Sequence, residues 1–172
     1  ATISANQEEV FNSADIIARV RGLDDNPAQN DLIKPDLVLV GLLNPYPVPQ
    51  AVRRLAEKKV TSFALELLPR ISRAQPMDAL TSMATVSGYK AVLLAAGLHN
   101  RMFPMMMTAA GTITPARVLV IGVGVAGLQA IATARRLGAS VQAYDVRPAV
   151  KEQVESLGAR FVELKLETKE TE

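Results

Sequence analysis

The chain has 172 residues, 49% hydrophobic and 21% charged, with no low-complexity tract and a formal net charge of +2. So small a charge, with Lys and Arg scattered along the chain, argues against a nucleic-acid or anionic-membrane surface. With no cysteine there is no disulfide or thiolate metal site, and the single histidine, His99, disfavours a histidine metal centre or a serine triad, so no metal is expected.

The length suits one large domain or two small ones. The chain opens at Ala1 without a signal-peptide pattern, which suggests processing or a piece of something longer. Strands are expected at Asp15–Val20, Asp36–Leu42 and Val60–Leu65, with Pro49–Lys58 as a helix and Gly22–Pro35 and Asn44–Pro49 as loops. A long helix is expected over Pro76–Gly97, opened by proline and by Asp78 in its first turn. His99–Pro115, with two prolines and Gly111, reads as a linker. Beyond it come strands at Arg117–Ile121, Ser140–Asp145 and Arg160–Leu166, alternating with helices at Val125–Leu137 and Pro148–Leu157.

Strands alternating with helices imply parallel βαβ units. The expected fold is α/β, with two Rossmann-like parallel-sheet domains joined by the long helix. Residues 1–99 would form the first domain with that helix at 76–97, 100–116 the linker, and 117–172 the first half of a dinucleotide-binding domain, incomplete at its C-terminal side.

The segment Val118 to Ala134 is nearly all apolar, but glycines and Gln129 interrupt it. It falls short of the roughly 20 residues a spanning helix needs, and strand-turn-helix explains it better. Within it lies Gly122-Val123-Gly124-Val125-Ala126-Gly127. Gly122 allows a tight turn, Gly124 lets the backbone approach a pyrophosphate, and Gly127 lets the helix pack on the strand. The helix N-terminus then offers N–H groups to the phosphates. Asp145 ends the following strand, 18 residues beyond Gly127. A carboxylate there accepts hydrogen bonds from an adenosine ribose diol and repels a 2′-phosphate, which favours NAD over NADP, although Arg147 nearby would attract that phosphate. The bland alternative makes the glycines packing devices and Asp145 a helix cap.

"LLPRISRAQPMDALTS", Leu67 to Ser82, sets Arg70, Ser72, Arg73, Gln75 and Asp78 at the mouth of the long helix. By spacing alone it is either a solvated loop with a helix cap or a polar rim able to orient an amide-bearing ring.

"PRISRAQPMDALTSMATVSGYKAV", "FPMMMTAAGTITPARVLVIGVGVAGLQAIATARRLGA" and "DVRPAVKEQVESLGARFVEL" closely resemble the NAD(H)-binding domain of proton-translocating nicotinamide nucleotide transhydrogenases. "EEVFNSADIIARVRG" and "LAEKKVTSFALELLPR" look like the same family, so the resemblance covers essentially the whole chain. It implies an enzyme of the oxidoreductase class. Hydride would pass directly between NAD(H) on this chain and NADP(H) on a partner domain, coupled to proton movement through a membrane-spanning subunit. The resemblance also implies a homodimer, bacterial origin and a place on the cytoplasmic face of the inner membrane, held there by partner subunits. By motif, Gln75 would lie beside the nicotinamide with Arg70 and Asp78 in support. Gln75, Pro76, Met77 and Asp78 would line the site, Val125 would meet the pyrophosphate, and Asp145, Val146 and Arg147 the adenosine ribose.

Pro76 and Thr81 stand where the family more often has serine. The family's domain is also longer at both ends and carries a mobile loop over the nicotinamide in a segment missing here, so the isolated chain is expected to be inactive. Two alternatives stand beside this reading. Alanine dehydrogenases share the plan but carry a catalytic His-Leu-Ala segment, where this chain has "LVGLLNPYPVPQ" and no histidine; His99 lies elsewhere and reads as structural. A truncated, non-catalytic NAD-binding module is the other.

Overall fold

The structure, a computed structural model, describes residues 3–23 and 26–164. The chain forms two compact units, Ala1–Leu80 and Thr81–Glu172.

In the first unit α1 (Gln7–Ser13) starts where the Asn6 side chain accepts the Glu9 N–H at 2.8 Å, with Glu8 and Glu9 favourably placed in the first turn. Then come β1 (Ile16–Arg19), α2 (Pro27–Asp31), β2 (Val38–Gly41), α3 (Pro49–Glu57) and β3 (Thr61–Ala64). The three strands form a parallel sheet in the order β1-β2-β3, with Ile16 opposite Val38 and Val38 opposite Thr61. Ile17, Leu39 and Leu55 pack with Phe11, Leu23, Ile33, Leu37 and Leu43 into this unit's core. α2 lies inside Gly22–Pro35, the expected loop. Its signal was present in Asn26-Pro27, a helix-opening pair with proline in the first turn.

Beyond β3 two 3-10 turns follow, Leu65–Leu67 and Ser72–Met77. The long helix α4 therefore runs Ala79–Leu98, not from Pro76. The Asp78 N–H bonds to the Gln75 carbonyl at 3.1 Å, and Asp78 itself turns the chain with ψ 78°. Pro76 is thus held in the 3-10 turn, and helical geometry resumes only after Asp78.

From Thr81 onward α4 belongs to the second unit, whereas the sequence places the long helix with the first domain. By length and composition α4 is long and apolar enough to cross a bilayer. Its Val92 belongs to the core of an α/β unit, and a Cβ on its Gly88 would lie 2.1 Å from the Ala126 carbonyl oxygen, so the helix packs directly on backbone. The expected linker, 100–116, contains an antiparallel hairpin, β4 (Met106–Thr108) and β5 (Gly111–Ile113), closed by the Thr108 hydroxyl donating to the Gly111 carbonyl at 2.9 Å. Its methionine-rich first strand lacks the β-branched pattern by which strands are read.

The rest is β6 (Arg117–Ile121), α5 (Val125–Arg136), β7 (Ser140–Tyr144), a 3-10 turn at Pro148–Val150, α6 (Lys151–Ser156) and β8 (Arg160–Phe161). Strand order is β6-β7-β8, all parallel, with Arg117 opposite Ser140 and Gln142 opposite Arg160. Ile131, Ala134, Val141, Ala143 and Val154 fill the core. The expected last strand to Leu166 runs into residues 165–172, outside the described ones. The expected α/β class with two parallel sheets is the observed one.

Candidate functional site

β6 delivers the chain to the C-terminal edge of its sheet, where ligands of open α/β folds bind. There Gly122 takes φ +89°, a left-handed value that an L side chain rarely adopts, and its N–H continues the ladder to the Tyr144 carbonyl at 2.8 Å. Gly124 is the N-cap of α5 and supplies no side chain, so the first-turn N–H groups of the helix lack a side-chain cap. A Cβ on Gly124 would meet nothing within 4 Å, whereas one on Gly127 would lie 1.9 Å from the Gly122 carbonyl oxygen. The turn is therefore tight on its inner side and open on its outer side, where a phosphate would approach. Val125, first residue of α5, is exposed.

Asp145 leaves the end of β7 and reaches back to this turn. Its Oδ2 accepts the Val123 N–H at 2.7 Å, and its Oδ1 accepts the Arg147 N–H at 2.8 Å. The Arg147 guanidinium adds Nε to Oδ1 at 3.0 Å and Nη2 to Oδ2 at 3.1 Å. These bonds leave the Asp145 side chain 7% exposed and that of Arg147 60% exposed. The Arg147 side chain, with the two backbone N–H donors, holds the Asp145 carboxyl well below the usual carboxylate range, and the same pairing raises Arg147. Val146 between them points outward, 79% exposed.

Beside Asp145 a cavity of about 390 Å³ opens at the ends of β7 and β8, walled by Val146, Pro148, Phe161 and Leu164. Lys151 and Glu163, paired at 2.6 Å, stand at its edge, each holding the other in its charged form. Apolar walls beside a carboxylate suit a flat heterocycle carried on a ribose.

Arg70, Gln75, Pro76, Met77 and Asp78 belong to the other unit. Ala74 is buried and anchors the 3-10 turn, which leaves Arg70, Gln75, Pro76 and Met77 exposed and Asp78 partly so. The structure thus gathers two groups, residues 70–78 after the first sheet and the glycine turn with Asp145 and Arg147 in the second. His99 lies in neither; its Nδ1 accepts the Arg101 N–H at 3.0 Å just after α4. The sequence reading missed two contributors. Val123 donates the bond that ties Asp145 to the turn, a role that belongs to its backbone and leaves no trace in residue type. Gly88 did leave a signal, a glycine isolated in a helical stretch, which marks close packing.

A strand, a three-glycine turn, a helix and a second strand ending in an acid define the nucleotide-binding half of a Rossmann-like fold. Residues 1–87 match the family model for the alanine dehydrogenase/PNT N-terminal domain, and residues 91–172 match that for the C-terminal domain. The chain belongs to the alanine dehydrogenase/PNT family. Over 167 residues it is 50% identical to the first portion of the NAD(P) transhydrogenase alpha subunit of Rickettsia prowazekii, covering 96% of this chain and 44% of that protein. The crystal structure of transhydrogenase from Sinorhizobium meliloti superposes with a TM-score of 0.82 at 49% identity, over 92% of this chain and 47% of that one. An L-alanine dehydrogenase shares the fold, with a TM-score of 0.70 at 23% identity over 94% of this chain and 45% of its own. The chain spans less than half the length of these relatives. The transhydrogenases it resembles are oxidoreductases and, where a source organism is given, bacterial.

Proposed function

We propose that this chain is the NAD(H)-binding portion of a proton-translocating transhydrogenase, in which hydride passes directly to or from NADP(H) held on a partner domain. The observation that carries this reading is the turn at Gly122–Gly127, open above Gly124 and followed by Asp145, in a chain about half identical to transhydrogenase alpha subunits.

The residues present fit a dinucleotide. Gly122, Gly124, Val125 and Gly127 would hold the pyrophosphate, because the cradle a Cβ would fill at Gly124 faces uncapped helix N–H groups. Asp145 and Val146, with Arg147 beside the carboxylate, would form the seat of the adenosine ribose, with the cavity beside them for the base. Gln75, supported by Arg70 and Asp78 and flanked by Pro76 and Met77, would orient the nicotinamide. When bound, the nicotinamide supplies the hydride chemistry itself. The side chains therefore position, and no acid, base or metal ligand is required of them.

The membrane-spanning partner, the coupling to protons and a place on the cytoplasmic face of the bacterial inner membrane belong to the same proposal and rest on the family likeness. A homodimer belongs to it too. It is supported by apolar side chains left exposed on α4 (Met83, Val86, Leu94, Leu98) and on the hairpin (Met106, Met107). On this reading the 172 residues alone carry no transhydrogenation.

Titration with NADH followed by its fluorescence tests the proposal. Saturable NADH binding, much tighter than that of NADPH, is the expected result. No binding, or equal affinity for the two, contradicts it.

A further inference from the structure

An ionised carboxylate has about four acceptor positions, two on each oxygen. Asp145 has all of them filled from within the chain. Oδ2 takes the Val123 N–H and Arg147 Nη2, and Oδ1 takes the Arg147 N–H and Arg147 Nε. The two backbone donors are fixed, since Val123 is 2% exposed within the glycine turn and the Arg147 N–H belongs to the chain leaving β7. The two guanidinium donors differ. They sit on a long side chain, 60% exposed, and side-chain rotation can withdraw them together with the bond that Nη2 donates to the Val123 carbonyl at 3.1 Å. A ribose diol brings two O–H donors, the same number that the guanidinium would release.

We propose that Arg147 holds the ribose-recognition seat on Asp145, and that a 2′,3′-diol binds by displacing its guanidinium, replacing its two bonds to the carboxylate while its bond to the Val123 carbonyl is released as well. This rests on the NAD(H) reading of the site and gives Arg147 a role distinct from a simple contact to the ligand. Two consequences follow. Diol binding has to overcome the Asp145–Arg147 pair, which lowers the apparent affinity. The displaced cation then stands within reach of the ribose 2′ position, where it offsets the repulsion of Asp145 for a 2′-phosphate. Arg147 thereby weakens NAD(H) binding and narrows the preference over NADP(H), the reverse of what a direct ribose contact would do.

The test uses the full chain and two readouts. In ¹⁵N NMR spectra, NADH should shift the Val123 amide and move the Arg147 Nε–H resonance to the position of a solvent-exposed guanidinium. If Val123 shifts and the Arg147 Nε–H stays, displacement is wrong while the NAD(H) reading stands. If neither moves, the NAD(H) reading falls and this inference with it. In parallel, Arg147→Ala should bind adenosine, a neutral probe that retains the diol, roughly three- to tenfold more tightly than the parent. For 2′-deoxyadenosine the gain should be smaller, and the NADH-over-NADPH ratio should widen. Arg147→Lys should fall between the two. Adenosine affinity unchanged or weaker in an Arg147→Ala chain with a native circular dichroism spectrum overturns the proposal. Should that variant fail to fold, the Arg147 resonance of the parent decides.

Discussion

A Cβ placed on Gly127 would stand 1.9 Å from the carbonyl oxygen of Gly122, while one placed on Gly124 would touch nothing within 4 Å. Three residues apart, the two glycines serve different ends, one packing and one access. Gly127→Ala should lower stability by about 1–3 kcal/mol, the usual cost of overpacking, since backbone has to move. Gly124→Val, at φ −87° and extended ψ, should unfold at the parent's temperature and yet lose NADH binding. Thermal unfolding beside NADH titration checks both. A Gly124→Val chain that binds NADH normally would leave these glycines with packing roles alone.

Asp145 predicts a pH dependence. Its folded-state pKa is depressed, chiefly by Arg147 and the Val123 N–H, so its contribution to stability is full above the unfolded value of roughly 4. That contribution is lost as the pH falls toward the folded value. Asp145→Asn cannot titrate. The parent's melting temperature should therefore exceed the variant's at neutral pH and fall more steeply below about pH 4, so that the two curves converge in acid. Parallel curves would show that the carboxylate charge does not stabilise the fold.

Gly88 meets α5 across the Ala126 carbonyl, where a Cβ would come within 2.1 Å. Gly88→Ala would be favoured by helix propensity in isolation, but here it should destabilise the second unit by about 1–3 kcal/mol. Because Ala126 lies inside the glycine turn, NADH affinity should fall as well. Urea unfolding with NADH titration reads the two effects, and a stabilised variant would contradict the packing.

Gln75 is exposed, and its replacement should not disturb folding. In a complete transhydrogenase carrying these residues, Gln75→Asn keeps the amide and withdraws it by one methylene. Misplacing a reacting centre by about 1 Å costs on the order of a hundredfold in rate. Stopped-flow hydride transfer should therefore drop steeply while equilibrium NADH binding stays within about threefold, a shift worth well under 1 kcal/mol. Parental transfer rates would remove Gln75 from the proposed role.

The parallel strands were legible because β-branched runs such as Val38–Gly41 and Arg117–Ile121 are period-breaking signals flanked by turn residues. The hairpin was not, because Met105–Met107 carries no strand propensity and its pairing is fixed by the turn at Thr108 and Gly111. The start of α4 was misjudged because Pro76 suits a helix opening as well as a 3-10 turn, and the backbone of Asp78 decides between them. In the site, residue spacing pointed to the glycine turn. The saturation of Asp145 was hidden, since it depends on where Arg147 and one backbone N–H lie in space.

Asp145 is also a joint, fastening the end of β7 to the turn after β6 through the Val123 N–H. Replacing it to admit a different dinucleotide would loosen that joint at the same moment. Val146 is 79% exposed and makes no such tie, so it can vary without that penalty, whereas the Arg147 guanidinium adds a second, more exposed tie to the same turn through the Val123 carbonyl at 3.1 Å. On the reading proposed above, evolutionary or engineered drift in cofactor choice should begin at Val146, reach Arg147 next and the aspartate last.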